Sequence, residues 1–212
     1  MIATRPFGQT EIQVPVLGLG AGLIGDIKIE EDFIGQFLNR AVDMGYTLID
    51  TARGYGASED RIGRHLGWRR QDLILSTKVG YGVDFVADWT EDCVRFGVDR
   101  ALWQLQTDYI DIVHLHSCDL ITLQHGEVIR ALEDCKKAGK VRAIAYSGEN
   151  EALAYAAQTG VFDSLMCSIN LYDQQSLQTL LPAYPQLGVI AKRALANAPW
   201  RFSKQPIGDY AE

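Results

Sequence analysis

Four polar side chains fall where an apolar, strand-like run gives out: Asp50 after residues 46–49, Lys78 after 73–75, His116 after 110–113 and Ser147 after 144–146. Tyr55 follows Asp50 by one short loop, with Gly54 and Gly56 on either side. A carboxylate, a phenol, an ammonium and an imidazole form a set suited to proton transfer to a carbonyl oxygen. The phenol carries the proton, and the charged groups and the imidazole set how readily it leaves. A competing pattern lies upstream, where Gly20-Ala21-Gly22-Leu23-Ile24-Gly25 spells the dinucleotide fingerprint. A pyrophosphate site needs a helix that starts within the glycines. Here Asp26 to Glu31 intervene before helical periodicity begins, so the glycines read as the rim of a strand.

Polar groups at the carboxyl ends of successive strands converge on one face in a βα-barrel, whose βα loops build its active site. The intervening sequence supplies the helices such a barrel needs. Residues 32–44 put Phe33, Phe37, Leu38, Ala41 and Val42 on one helical face, and Gly45 stops them. Ser58 is placed to cap a helix carrying Ile62 and Leu66, and Thr90 to cap one carrying Val94, Ala101, Leu102 and Leu105. A helix through Val128, Ala131, Leu132 and Cys135 ends in Lys136, Lys137 and Gly139, which suits a helix C-terminus. Weaker helical patterns follow Ser147 (151–158) and Asp173 (to Leu181, ended by Pro182).

Apolar runs at 16–19, 46–49, 73–77, 110–115, 141–146, 164–169 and 189–191 alternate with these helices, which predicts a parallel sheet covered by helices. The expected fold is α/β, a TIM-type (β/α)8 barrel in one domain over 1–212. A β-hairpin cap around Gly8-Gln9-Thr10 occupies 1–16, βα units occupy 17–198 and a polar tail occupies 199–212. Eight strands and about 250 residues are usual for such a barrel. Seven runs predict an incomplete one, either a fragment or a barrel short of its last βα unit. An unclosed sheet exposes strand edges that invite self-association.

His114 and His116 sit at alternate positions of one strand, so both point the same way. Such a pair binds metal in barrel hydrolases, but His65 and His125 fall in helical contexts and do not complete a site; no metal is expected. His114, deeper in the strand, reads as structural, and His116 as the catalytic candidate.

Composition narrows the function classes. The 212 residues carry a net charge of −7 and lack the basic patch that nucleic-acid binding needs. No run approaches a membrane span, and residues 1–6 do not resemble a signal peptide. Four dispersed cysteines, Cys93, Cys118, Cys135 and Cys167, suggest buried thiols in a reducing cytoplasm rather than staples or a zinc site. Cys118, just past His116, reads as either a passive lining residue or an oxidation-sensitive thiol.

The motifs together resemble the aldo-keto reductase family over about residues 4–198. Arg5 to Thr10 with Leu17-Gly18-Leu19-Gly20 is similar to that family's opening hairpin and first strand. Asp50 to Gly56 matches its Asp-Thr-Ala…Tyr-Gly segment, continued by Glu59 and Gly63; Lys78 matches its strand-end lysine, and Asp108-Tyr109-Ile110-Asp111 through His116 its Asp-Tyr-x-Asp…His segment. The resemblance implies NADPH-dependent reduction of a small aldehyde or ketone. In it Tyr55 protonates the oxygen, Lys78 lowers the phenol's pKa, Asp50 orients Lys78 and His116 orients the carbonyl.

The resemblance also implies cofactor contacts, and here the chain departs from the pattern. Ser147 is kept for the nicotinamide carboxamide, but Gly148 replaces the Asn beside it and Met166 stands where a Gln is usual; Asn170 or Asn150 would compensate. Lys192-Arg193 replace the stacking aromatic and are placed to approach cofactor phosphates, or else to lie solvated at the rim. The usual segment for the adenosine 2′-phosphate is missing. Trp89 is a candidate pocket-lining residue. The competing function is a non-catalytic, cofactor-free relative acting in binding or regulation.

Overall fold

The computed structural model describes residues 2–196; the polar tail expected over 199–212 lies outside them. An antiparallel hairpin comes first, β1 (Thr4–Pro6) against β2 (Gln13–Pro15). Thr10 sets its turn, donating its hydroxyl to the Phe7 carbonyl and accepting from the Ile12 amide. Seven parallel strands then follow in sequence order within one curled sheet: β3 (Leu19–Gly20), β4 (Leu48–Asp50), β5 (Ile74–Val79), β6 (Ile110–His116), β7 (Val141–Ser147), β8 (Ser164–Ser168) and β9 (Gly188–Lys192). This is a partial (β/α)8 barrel. Among the described residues, β3 and β9 are its two edges.

The helices are α1 (Glu31–Asp43), α2 (Ser58–Leu66), α3 (Glu91–Leu105), α4 (Leu120–His125), α5 (Glu127–Lys137) and α6 (Asn150–Thr159). Thr90 caps α3 as expected, accepting from the Cys93 amide at 3.2 Å. Ser58 does not cap α2. Its hydroxyl is buried, donates to the Ala21 carbonyl at 2.8 Å and accepts from Thr51 at 2.8 Å, tying the glycine run to the loop after Asp50. Three other elements differ from expectation. The first barrel strand is only two residues long. The short α4, capped by Asp119 and ended by Gly126 at φ 74°, was too brief to leave a periodic signal. After Asp173 a wide π-type turn (Ser176–Leu180) and a 3-10 turn (Leu181–Ala183) replace a regular α-helix. Pro182, with no amide hydrogen and a ring that crowds the preceding turn, blocks an ordinary ladder there.

Register decides which residues share a layer. Asp50 is level with Ser76, Lys78 with His114, His116 with Ser147, Ser147 with Met166, and Ser168 with Lys192. These residues alternate with Val113, Leu115, Ile144 and Leu165, which join the apolar layer under the helices with Val94, Val98, Leu132 and Leu153. The hairpin closes the barrel floor: Phe7, Ile12 and Val14 pack with Leu48, Ile112, Ala143 and Ala145. A Cβ on Gly188 would meet the Phe7 ring at 2.8 Å, so this close approach requires glycine. Above that apolar floor the interior becomes polar, towards the carboxyl ends of the strands.

Candidate active site

Each group of the expected tetrad owes its place to a strand end or to the loop that follows. Asp50 ends β4, and its Oδ1 accepts from the Ser76 hydroxyl at 2.8 Å. Lys78, near the end of β5, is 2% exposed and donates to Asp50 Oδ2 and to the Thr51 carbonyl, both at 2.7 Å. Both bonds compensate for taking the ammonium out of water. Tyr55 is carried over the mouth by the β4–α2 loop. That loop lies on the glycine run: the Ala57 amide donates to the Gly25 carbonyl at 3.1 Å, and a Cβ on Gly25 would fall 1.7 Å from the Tyr55 carbonyl oxygen. The glycines that spell a dinucleotide fingerprint serve here as the bed of the tyrosine loop.

The four groups meet. The Lys78 ammonium lies 5.0 Å from the Tyr55 ring centroid, and the Tyr55 and His116 rings stand edge to face at 5.9 Å. Burial pushes the His116 imidazole down to about 4, helped by the Lys78 and Lys192 charges, so it is neutral at pH 7. The Tyr55 phenol is raised above its ordinary value, by burial first and by the Asp50 carboxylate second, with the Arg193 charge opposing. This corrects the expectation that Lys78 lowers it. The ammonium is directed at Asp50 and Thr51, and desolvation of the phenolate dominates.

His114 lies one layer deeper and is fully buried. Its Nε2 is 3.1 Å from Ser76 Oγ, and because that hydroxyl is committed to Asp50, the imidazole donates. Burial, with the Lys78 charge adding to it, holds its pKa well below 6.5. Cys118 is 1% exposed and its thiol is pushed up to about 12, mainly by burial, so of the two readings the passive one holds.

The expected cofactor contacts spread more widely. Ser147 is buried in the layer of His116. Gly148 cannot carry a larger side chain, because a Cβ there would fall 2.4 Å from the Tyr146 hydroxyl. That hydroxyl donates to the Cys118 carbonyl at 2.7 Å. Asn170 accepts from the Tyr172 and Asp173 amides through Oδ1, while its buried Nδ2 has no partner among the described residues. Lys192 is paired with Glu149 at 3.2 Å, and Arg193 sits at φ 54° with its charge felt at Tyr55. A cavity of about 660 Å³ lies away from the tetrad, between α6 and the turns after β8, with Glu149, Ser168 and Asp173 among its lining residues.

Residues 16–198 match the model of the aldo/keto reductase family. The chain belongs to that family. Solved aldo-keto reductases share its architecture. A putative one from Pseudomonas aeruginosa is 32% identical with a TM-score of 0.80, over 90% of this chain and 77% of that one. One from Bacillus halodurans in its holo form is 25% identical with a TM-score of 0.83, over 98% and 71%. An aldo/keto reductase from Klebsiella pneumoniae, solved with NADP and acetate, is 27% identical with a TM-score of 0.76, over 93% and 70%. L-galactose dehydrogenase of Arabidopsis thaliana is 34% identical over 157 residues, 69% of this chain and 49% of that protein. This aldo-keto reductase chain thus spans about half the length of that curated relative.

Three participants escaped sequence reasoning: Ser76, which links Asp50 to His114; Glu149, which engages Lys192; and Tyr81, whose hydroxyl lies 2.8 Å from His116 Nδ1. Ser76 had a usable signal, since it precedes Lys78 by two on the same strand face. Tyr81 had one as well: Gly80-Tyr81-Gly82 repeats the Gly54-Tyr55-Gly56 pattern.

Proposed function

We propose that the chain reduces a small aldehyde or ketone to an alcohol with NADPH, with Tyr55 as proton donor. The observation that carries this reading is the meeting of Tyr55, Lys78, Asp50 and His116 at one barrel mouth. The Tyr55 phenol, raised by burial, holds its proton at neutral pH and gives it to the carbonyl oxygen as negative charge develops there. Lys78 then faces the phenolate left behind, and Asp50 keeps that ammonium oriented. Neutral His116 donates a hydrogen bond that orients the carbonyl.

Bound NADPH supplies the hydride. The donor set suits a nicotinamide carboxamide: Ser147 lies in the His116 layer, and the unpartnered Asn170 amide can donate. Arg193 brings a cation near the mouth that suits phosphate, whereas Lys192 would have to share its charge with Glu149. Engagement of Lys192 favours the second reading, a cofactor-free binding protein. The four buried, unbridged thiols support a cytoplasmic setting.

Titration with NADPH, followed through the fluorescence of the four tryptophans, separates the two readings. The reductase reading expects saturable quenching, and silence up to millimolar cofactor leaves only the binding protein. Given binding, Tyr55→Phe is expected to lower carbonyl reduction by about 10²–10⁴-fold with cofactor affinity nearly unchanged. Lost affinity at an unchanged rate contradicts the role assigned to Tyr55.

A further inference from the structure

Tyr81 lies in the loop between β5 and α3 and is held from several sides. Its ring stacks on His116 with centroids 5.3 Å apart and planes at 26°. Trp89 abuts it edge-on at 5.8 Å and packs so closely on Gly80 that a Cβ there would come within 2.1 Å of the indole. Gly54 leaves room for the hydroxyl, since a Cβ at that position would stand 2.8 Å from the phenol oxygen. Arg53 binds the two mouth loops together, donating from Nε to the Gly82 carbonyl at 3.0 Å. The outcome of this packing is one hydrogen bond, 2.8 Å long, between Tyr81 Oη and His116 Nδ1.

We propose that Tyr81 is a positioning residue for carbonyl reduction: its hydroxyl donates to His116 Nδ1 and so places the imidazole proton on Nε2, the nitrogen left for the substrate oxygen. This deepens the reductase reading and rests on it. A neutral imidazole has one N–H, and the partner of one nitrogen dictates which nitrogen bears it. Among the described residues the Tyr81 hydroxyl has no other hydrogen-bond partner. If Nδ1–H donated to it, the phenol's own proton would go unpaired in a half-buried site. Charge does not blur the assignment. Burial raises the Tyr81 phenol and lowers the imidazole to about 4, so both are neutral across the working range.

Nitrogen-15 NMR of the histidines, recorded at pH 7 without cofactor or substrate, tests this directly. The expected result is a His116 signal with Nε2 protonated and Nδ1 bare in the wild type, averaging between tautomers in Tyr81→Phe. In the same variant kcat should fall about tenfold while KM for NADPH holds. Gly54→Ala, which retains the hydroxyl but crowds it, should reproduce the averaging; it decides the matter if near-ultraviolet circular dichroism shows Tyr81→Phe unfolded. A wild-type His116 protonated on Nδ1, or a tautomer unmoved by the substitutions, overturns the proposal. A chain that reduces no carbonyl would defeat the reductase reading and leave the NMR result standing.

Discussion

Two carboxylates sit at opposite ends of the sheet, and their surroundings differ in one respect. Asp111, at the amino end of β6, is fully buried and completely engaged. Its Oδ2 accepts from Arg70 at 2.7 Å and the Leu75 amide at 2.9 Å, and its Oδ1 from Arg142 at 2.7 Å. Arg70 is satisfied in turn by the Leu73 and Tyr109 carbonyls and lies 4.0 Å from the Tyr109 ring centroid. Asp50, at the carboxyl end of β4, has one partner per oxygen, and its side chain is 18% exposed. Near it, across Ser76, the polar groups are left incomplete: among the described residues, His114 Nδ1 is buried without a partner. A saturated cluster can only hold strands together. An unsaturated one keeps bonding capacity for something else, and it lies at the end of the barrel where such folds do chemistry.

That contrast can be broken by measurement. Asp111→Ala should cost about 3–5 kcal/mol in denaturant unfolding, because it strands a buried guanidinium; a loss under about 1 kcal/mol would make the lower cluster decorative. Acid should act mainly at the upper end. His114 and His116 have depressed pKa values in the fold, so the unfolded chain binds more protons as pH falls below 6.5. Their contribution is intact above pH 6.5 and is lost as pH drops through about 4, a trend that melting temperatures across that window would reveal. Lys78→Met should change stability least, by under about 1 kcal/mol in either direction, while abolishing turnover. It removes an ammonium that is costly to bury and leaves Asp50 partly hydrated. A large destabilisation would mean that the upper pair is architectural after all.

Asp50, Lys78 and His116 were legible because each interrupts an apolar run and parallel strands bring such interruptions to one rim, and Tyr55 because it stands between two glycines in the loop after Asp50. The same logic predicted the seven strands and the hairpin. It failed where neighbours matter more than position. Glu149 claims Lys192 from the loop after the adjacent-but-one strand, a pairing that no spacing rule announces. The Tyr55 pKa ran opposite to expectation because sequence reveals a nearby lysine but not where its hydrogen bonds go. The weak helical pattern after Asp173, with Pro182 as its stop, folds instead as a π-type turn and a 3-10 turn, because the pattern specifies local winding but not which hydrogen-bond ladder it takes.

The hairpin's grip on β9, the last strand among the described residues, also bears on how the chain folds. The Gln9 amide donates to the Gln186 carbonyl at 3.0 Å, and Gly8 approaches Gly188 so closely that a Cβ there would come within 2.3 Å of its nitrogen. These partners are separated by about 180 residues, and contacts of such range slow folding, because a long loop must close before they form. Phe7, Ile12 and Val14 meet Leu48, Ile112, Ala143 and Ala145 over shorter separations, so the hairpin can seat on the middle strands before β9 locks it.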